Sequence, residues 1–302
     1  MSIAIVSTVR TDESTLTRFL NYHFRCGVDR FFLFFDDPND PGIERVQLDK
    51  RVHFVRCDSD HWSRFRLATN SPLEERQLCN TAQALQMARY EGIDWLLHID
   101  TDELLFTPGH QLHRYLESHG KDVHAITFRT LEAIPKARYA NHVFEEIRWF
   151  KKPRSRIPGA GKIARLLGCA RLFVNGFIKG HDIGKTVVKT SAPIVAIGVH
   201  TAIASDRAFR SMVATDAYLL HFDCCTFDDW LLKWRRRHDG TATVSLMSDR
   251  RKAQLAAFIG ASKSGEQLMA LYRNQVPGPW QLAVLALLDL LRHITLPKRL
   301  FQ

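Results

Sequence analysis

Acidic residues fall where an open α/β sheet would present them to a ligand. Asp36 and Asp37 end the apolar run Phe31–Phe35, and Asp100-Thr101-Asp102-Glu103 ends the run Trp95–Ile99. Ligands of such sheets bind at the carboxyl ends of the strands. An Asp-x-Asp there sets two carboxylates on one rim, close enough to share a divalent cation. Hard oxygen donors suit Mg²⁺ or Mn²⁺, and such a cation bridges to phosphates. An isolated Asp-x-Asp is most often a surface turn, and the buried tryptophan-led strand before this one separates it from that reading. His98 points to the opposite face from Leu97 and Ile99 and reads as structural.

The elements that must hold these acids are legible in the first hundred residues. Ile3–Thr8, Phe31–Phe35, Val52–Val55 and Trp95–Ile99 read as strands. The continuous apolar runs among them suit strands covered on both faces. Asp12 caps a helix whose Leu16, Phe19, Leu20, His23 and Phe24 recur at helical spacing, and Gly27 stops it. Ser71 with Glu74 forms a capping box with Pro72 at the first helical position, opening a helix to Tyr90. Alternating strands and helices describe an α/β sheet with parallel members. Further on, Val123–Phe128, Glu145–Phe150 and Tyr218–Phe222 read as strands. Thr186–Lys189 and Ile194–Val199 read as a pair around Ser191–Pro193. Residues 151–170 read as a loop or short amphipathic helix. Helices are expected from Thr226 to His238, Asp249 to Ile259 and Trp280 to His293, the last almost wholly apolar.

Composition narrows the class. The chain has 302 residues, 42 Lys+Arg against 32 Asp+Glu, and a formal net charge of +10. It is 45% hydrophobic with 16 Gly and 11 Pro, which excludes disordered and collagen-like chains. A charge of this sign favours polyanions, anionic membrane surfaces or phosphate-rich small molecules. The basic residues crowd at Lys151, Lys152, Arg154, Arg156, Lys162, Arg165 and Arg171, and again at Lys233 and Arg235–Arg237. No zinc-finger or RNA-recognition signature accompanies them, so nucleic acid is not an expected partner. Six cysteines at irregular spacing read as reduced, mostly buried thiols. No stretch reaches the roughly 20 apolar residues of a membrane span. Met1–Thr8 lacks the basic start of a signal peptide, so a cytoplasmic location is expected, with a peripheral position on the inner membrane face suiting the basic stretch and the apolar last helix.

Ile3–Thr8 with Arg10 and Glu13, then Phe31–Asp36, then Trp95-Leu-Leu-His-Ile-Asp-Thr-Asp-Glu103 resemble a GT-A glycosyltransferase of the family-2-like and family-92-like branch. The resemblance covers residues 1 to about 130 and thins through 130–180. It returns at Lys185-Thr-Val-Val-Lys189, Gly198-Val-His200, His221-Phe222 and a helix like Phe227–Trp234 that carries Lys233. It implies a GT-A-type, Rossmann-like central sheet flanked by helices, with a transferase domain over residues 1–240 and a helical C-terminal extension over 241–302.

The resemblance also implies roles. Asp100 and Asp102 match the metal pair, and His200 matches a histidine that adds a further ligand to Mn²⁺ or Mg²⁺. The cation would hold the diphosphate of a nucleotide-sugar donor. Arg10 belongs to the same matched segment, and Glu13 and Asp36 match positions that contact the nucleoside. Arg76 and Asn80, one turn apart on a helix face, could reach toward the donor, and Lys185 and Lys189 are phosphate or substrate clamps. An inverting transfer needs a base for the acceptor hydroxyl. Glu103, Asp182 and Asp223 are the alternatives. His181-Asp182 reads more readily as a polar turn than as an oriented acid/base pair, and Asp37 as a turn cap.

The expected activity is metal-dependent, inverting transfer of a sugar to a glycan or lipid-linked acceptor in cell-surface polysaccharide synthesis. A nucleotidyltransferase would share the sheet and acids but carry a glycine-rich loop after the first strand; Ser7–Glu13 has no glycine. A non-catalytic polyanion- or membrane-binding module would need neither metal nor nucleotide, and its binding would be salt-sensitive.

Overall fold

In the computed structural model, which describes residues 1–119, 122–240 and 247–302, the chain runs in order through β1 (Ile3–Val9), α1 (Glu13–Arg25), β2 (Arg30–Phe35), α2 (Gly42–Val46), β3 (Val52–Arg56), α3 (Ser59–Arg64), α4 (Leu73–Tyr90), β4 (Trp95–His98) and β5 (Glu103–Phe106). It continues with α5 (Leu112–Glu117), β6 (Ala125–Ala133), α6 (Val143–Glu146), β7 (Trp149–Lys151), α7 (Ala160–Ala164), β8 (Lys185–Lys189), β9 (Ile194–Ile197), β10 (Ala202–Ala204) and β11 (Ser211–His221). The last elements are α8 (Phe227–His238), α9 (Asp249–Ala261), α10 (Gly265–Arg273), α11 (Pro279–Leu287) and β12 (Leu291–His293). The fold is α/β with helices at its C-terminal end. Contacts divide it into two units: Met1–Arg129, Ile183–Leu219 and Lys298–Gln302, and Thr130–Asp182 with Leu220–Pro297. The domain boundary expected after residue 240 abuts residues 241–246, which lie outside the described residues.

The first unit holds a Rossmann-like parallel half, β3-β2-β1-β4, continued by antiparallel β8 and the start of β6. The five residues Phe31–Phe35 are fully buried because helices cover both faces. On one side, Ala84, Leu85 and Ala88 of α4 pack on Ala4, Val6, Phe32, Phe34 and Leu96. On the other, the Phe19 ring of α1 meets Phe31 edge-on at 5.8 Å. Each buried Phe, Leu or Val among them contributes about 1.5–3 kcal/mol. Asp12 caps α1 by accepting the Thr15 N–H at 3.0 Å, as the sequence suggests.

The second unit pairs the end of β6 with β7, and β7 with β12. Helices α8, α9 and α10 close around Trp230, Trp234, Phe258, Leu268 and Tyr272. Residues 160–173 form α7 and two further irregular helical turns, so the basic stretch is helical only from Ala160 onward, while Lys151 ends β7 and residues 152–159 are loop. They pack through Ala164, Cys169 and Leu172 on Val284 and Leu285 of α11.

Four expectations need correction. Ser71 does not cap α4, which begins at Leu73 with Pro72 at its N-cap and no side-chain cap; the Ser71 Oγ accepts the Ala68 N–H at 3.0 Å instead. The helix expected from Trp280 to His293 stops at Leu287; Asp289 takes a φ of 51° and residues 291–293 form β12 instead. Periodicity misled there because apolar residues continue past the helix end. β8 does not pair with β9: β8 lies between β4 and β6, and β9 pairs with β10. Glu145 and Glu146 sit in α6 rather than in a strand, which begins only at Trp149. All six cysteines are free thiols and four are buried. Among the described residues no helix is long and apolar enough to cross a membrane.

Candidate functional site

The carboxyl ends of β1, β2 and β4 carry a polar rim in the first unit. Strand β4 delivers Asp100 just past its last residue, and two side chains hold that carboxylate. Gln77 of α4 donates its Nε2 to Asp100 Oδ1 at 2.7 Å, and Lys185 at the start of β8 donates its Nζ to Oδ2 at 3.0 Å. Glu103 turns inward. Its Oε2 accepts the Asp100 N–H at 2.8 Å and lies 3.6 Å from Lys185 Nζ. Glu103 is fully buried, whereas the Asp100 side chain is 32% exposed and Asp102 is half-buried.

Electrostatics follow from that arrangement. Burial is the largest influence and works to raise the Asp100 carboxyl, yet the lowering influences around it, those of Lys185 foremost, together hold its pKa below the usual value. Burial opposes the Lys185 ammonium, but Asp100 and Glu103 keep its pKa above that of an ordinary lysine. His98, behind the rim, is 2% exposed and neither ring nitrogen has a hydrogen-bond partner among the described residues. Burial, reinforced by Lys185, pushes it down to about 3, so it is neutral.

Asp36, at the end of β2, has a side chain only 4% exposed. Arg76 donates Nη1 to its Oδ1, and Arg10 lies 3.7 Å from its Oδ2. Arg76 also donates Nε to the Ser71 carbonyl at 3.0 Å. Arg76 therefore spends its charge on Asp36. Asn80 is fully buried: it donates Nδ2 to Thr8 Oγ1 at 2.9 Å, and its Oδ1 lies 3.1 Å from His61 Nε2. It ties β1 and α3 together. Glu13 is exposed in the first turn of α1. Exposed Asp37 accepts the Asn39 N–H at 2.9 Å, the turn role expected of it.

Strand direction sorts the two lysines of β8. Because β8 runs antiparallel to β4, Lys185 arrives beside Asp100 while Lys189 pairs with Trp95 at the opposite end. Four residues of strand separate them by about 13 Å. Lys189 Nζ lies 5.2 Å from the Trp95 ring centre instead. His200 is brought back to the head of β8. Its Nδ1 is 3.0 Å from the Gly184 carbonyl, and its own carbonyl accepts the Thr186 hydroxyl at 3.0 Å.

The remaining two sequence candidates lie in the second unit. Asp182 is exposed in a turn. Asp223 is buried, accepts from Lys233 Nζ and lies 3.8 Å from Arg251 Nη2. Burial raises it, but Lys233, His221 and Arg251 together hold it well below the usual carboxylate value. In the same unit the His181 and His221 rings are 4.9 Å apart.

Set beside known proteins, the sequence matches no family model. It is 26% identical over 291 residues to a glycosyltransferase-like protein of Arabidopsis thaliana, covering 87% of this chain and 63% of that protein. A second glycosyltransferase-like protein of Arabidopsis thaliana is 25% identical over 288 residues, covering 87% of this chain and 55% of its own length. The chain thus spans less than two thirds of either relative. Among solved structures it is similar to a mannose-1-phosphate geranyltransferase from Thermus thermophilus, with a TM-score of 0.32, 14% identity and coverage of 63% and 58% of the two chains. A glycosyltransferase involved in glycosylation of the major capsid of PBCV-1 gives a TM-score of 0.24 at 10% identity, covering 47% and 55%. Structural likeness this slight carries no argument.

Sequence reasoning missed three polar residues. Gln77 was findable, since it shares the α4 stripe of Asn80, Thr81, Ala84 and Ala88 that faces the sheet. Glu132 and Lys151 were not. Lys151 Nζ donates to Glu132 Oε1 at 2.8 Å inside the second unit, both side chains at most 4% exposed. The pair exists only through the β6–β7 register, which sets Glu132 opposite Lys151. In the sequence alone Lys151 is one more cation of the basic stretch.

Among the described residues Asp102 belongs to a trio of carboxylate and imidazole groups close enough together to hold a metal ion, and Asp100 and His200 do not. Asp102 and the outer side of Asp100 are carboxylates that solvent reaches, and an ionised carboxylate has about four acceptor positions. Gln77 and Lys185 occupy two of those on Asp100.

Proposed function

We propose that this chain is a glycosyltransferase that moves a sugar from a nucleotide-sugar donor to a glycan or lipid-linked acceptor, with inversion and with Mn²⁺ or Mg²⁺. The observation that carries the reading is the pair Asp100 and Asp102 at the carboxyl end of a buried strand, the one held in place and both open to solvent. The names of the two Arabidopsis relatives support it.

In this reading Asp102 and Asp100 hold the cation. His200, whose Nδ1 lies 3.0 Å from the Gly184 carbonyl, would be the further ligand that the resemblance implies. The cation would neutralise charge on the departing nucleoside diphosphate. Lys185 is a positioning residue rather than a phosphate clamp, because its ammonium is buried against Asp100 and Glu103. Glu103 closes the loop on Asp100 and is assigned the same kind of role. Arg76 and Arg10 fix the carboxylate of Asp36, which meets the nucleoside together with Glu13. Asp182 and Asp223 are the alternatives for the base. The ion pairs of Asp223 lower its basicity, which favours the exposed Asp182.

The nucleotidyltransferase alternative is less well supported. The first turn of α1, where its phosphate loop would lead, is capped by the Asp12 carboxylate, which repels phosphate.

Thermal-shift measurements with UDP- and GDP-sugars, each with Mn²⁺ and with chelator, test the proposal. A ligand that binds the folded state raises the melting temperature with its concentration over Kd. A shift for one donor that needs the cation is expected. Equal behaviour with chelator and Mn²⁺ for every donor would refute metal-dependent donor binding.

A further inference from the structure

Residues 148–181 contain nine Lys and Arg and no Asp or Glu. The middle of this segment lies along α11. Ser155 Oγ donates to the Leu288 carbonyl at 2.7 Å near one end of the helix, and Trp280 Nε1 donates to the Leu167 carbonyl at 3.2 Å near the other. Gln281 Nε2 adds a bond to the Gly168 carbonyl at 2.8 Å. The two elements bury Ala164, Cys169, Leu172, Val284 and Leu285 against each other.

Their outer edge is apolar as well. Leu166 is 87% exposed, Leu287 81% and Trp280 67%, and Ile163 and Leu167 are exposed beside them. On α11 the exposed positions Trp280, Ala283 and Leu287 share one face at helical spacing, with buried Val284 at its border and buried Leu285 roughly opposite. A surface helix that is apolar on both faces has a second surface to cover. The exposed cations Arg154, Lys162 and Arg165 flank that edge. The acid at the end of α11, Asp289, stays ionised and has its charge paired by Lys152, whose ammonium lies 2.6 Å from its Oδ1, while the Arg156 N–H donates to its Oδ2 at 2.9 Å.

We infer that the edge formed by residues 154–167 and the Trp280–Leu287 face docks reversibly on an anionic lipid bilayer. Leucines inserted among the acyl chains, a tryptophan at headgroup level and flanking cations over acidic headgroups are the combination such docking requires. Charge decides among occupants, because a second copy of the chain would bring like charges to the same edge. The inference does not depend on the transferase reading.

The test is co-sedimentation of the full chain with vesicles of phosphatidylcholine alone or with phosphatidylglycerol, at low and high salt. Four proteins are compared: the wild type, Leu166→Glu/Leu287→Glu, Arg154→Glu/Lys162→Glu, and Leu48→Glu, an equally exposed leucine of the first unit (88%). Wild type and Leu48→Glu should bind the anionic vesicles, less at high salt, and bind phosphatidylcholine weakly. Each double variant should lose binding by on the order of tenfold or more. All altered side chains are exposed, and matching melting temperatures would show that folding is intact. The inference is overturned if wild type ignores anionic vesicles. It is also overturned if only the cation variant loses binding, which would mean plain polyanion attraction. Light scattering showing a wild-type dimer that the leucine variant dissolves, without vesicle binding, would assign the edge to a second copy.

Discussion

Lys185 Nζ lies 3.0 Å from Asp100 Oδ2 with the lysine side chain 1% exposed, so the acidic rim carries a built-in cation beneath it. That arrangement solves a folding problem. Asp100 and Glu103 would otherwise repel each other across the turn that Glu103 closes, with Glu103 wholly out of water. Lys185→Met should therefore destabilise the fold by about 3–5 kcal/mol, the cost of leaving a buried charge without its partner. Asp100→Asn should cost clearly less, because that side chain is 32% exposed and keeps a polar partner in Gln77. Urea denaturation of the two variants checks the order; the reverse order would contradict the assignment.

Gly184 sets where Lys185 begins. Its φ is +95°, and a Cβ there would lie 2.1 Å from the Phe128 carbonyl oxygen. Gly184→Ala is thus strained in backbone and in space at once and should cost on the order of 3 kcal/mol or more. Gly92→Ala, also at positive φ (+69°) but with nothing within 4 Å, isolates the backbone part and should cost less. Melting curves of the pair decide it.

Histidine burial makes stability depend on pH. His23 is fully buried, with Nδ1 2.8 Å from the Phe19 carbonyl and Nε2 accepting the Leu105 N–H at 3.2 Å. One nitrogen donates and the other accepts, so the ring must be neutral, and burial pushes its pKa down to about 3. The unfolded chain takes up this proton at about 6.5. Between those values the unfolded state binds more protons, so stability falls as pH drops from about 6.5 toward 3, by up to about 1.4 kcal/mol per pH unit. His23→Gln keeps a donor and an acceptor without titrating. Its stability should fall less steeply between pH 6 and pH 4, and an unchanged slope in urea titrations would contradict the account.

Parallel strands buried on both faces were legible because every residue is apolar. Phe31–Phe35 needed no tertiary knowledge, and the acids that follow marked the rim. What depends on pairing across long stretches of chain was not legible. Apolar Leu288, Leu290 and Leu291 continue the pattern of α11, and only pairing with β7 turns Leu291–His293 into a strand. Lys185 and Lys189 looked equivalent until the antiparallel direction of β8 sent them to opposite ends. Arg76 was read as reaching outward, yet its partner Asp36 is 40 residues away. Glu103 looked like a rim residue because nothing in an Asp-Thr-Asp-Glu run says which acid turns inward.

The central claim is that Asp102 holds a cation for a nucleotide sugar, and Asp102→Asn tests it most directly. The substitution keeps shape and removes one charge from a half-buried position. Asp37→Asn, at an exposed turn after β2, is the control. The measurement is calorimetric titration of both variants and wild type with the donor that gives a shift, with and without Mn²⁺, beside a melting curve. Asp102→Asn is expected to melt within about 1 kcal/mol of wild type and to lose the Mn²⁺-dependent part of donor affinity, while Asp37→Asn keeps it. Full Mn²⁺-dependent binding by Asp102→Asn, or loss of binding only because the protein unfolds, would contradict the claim.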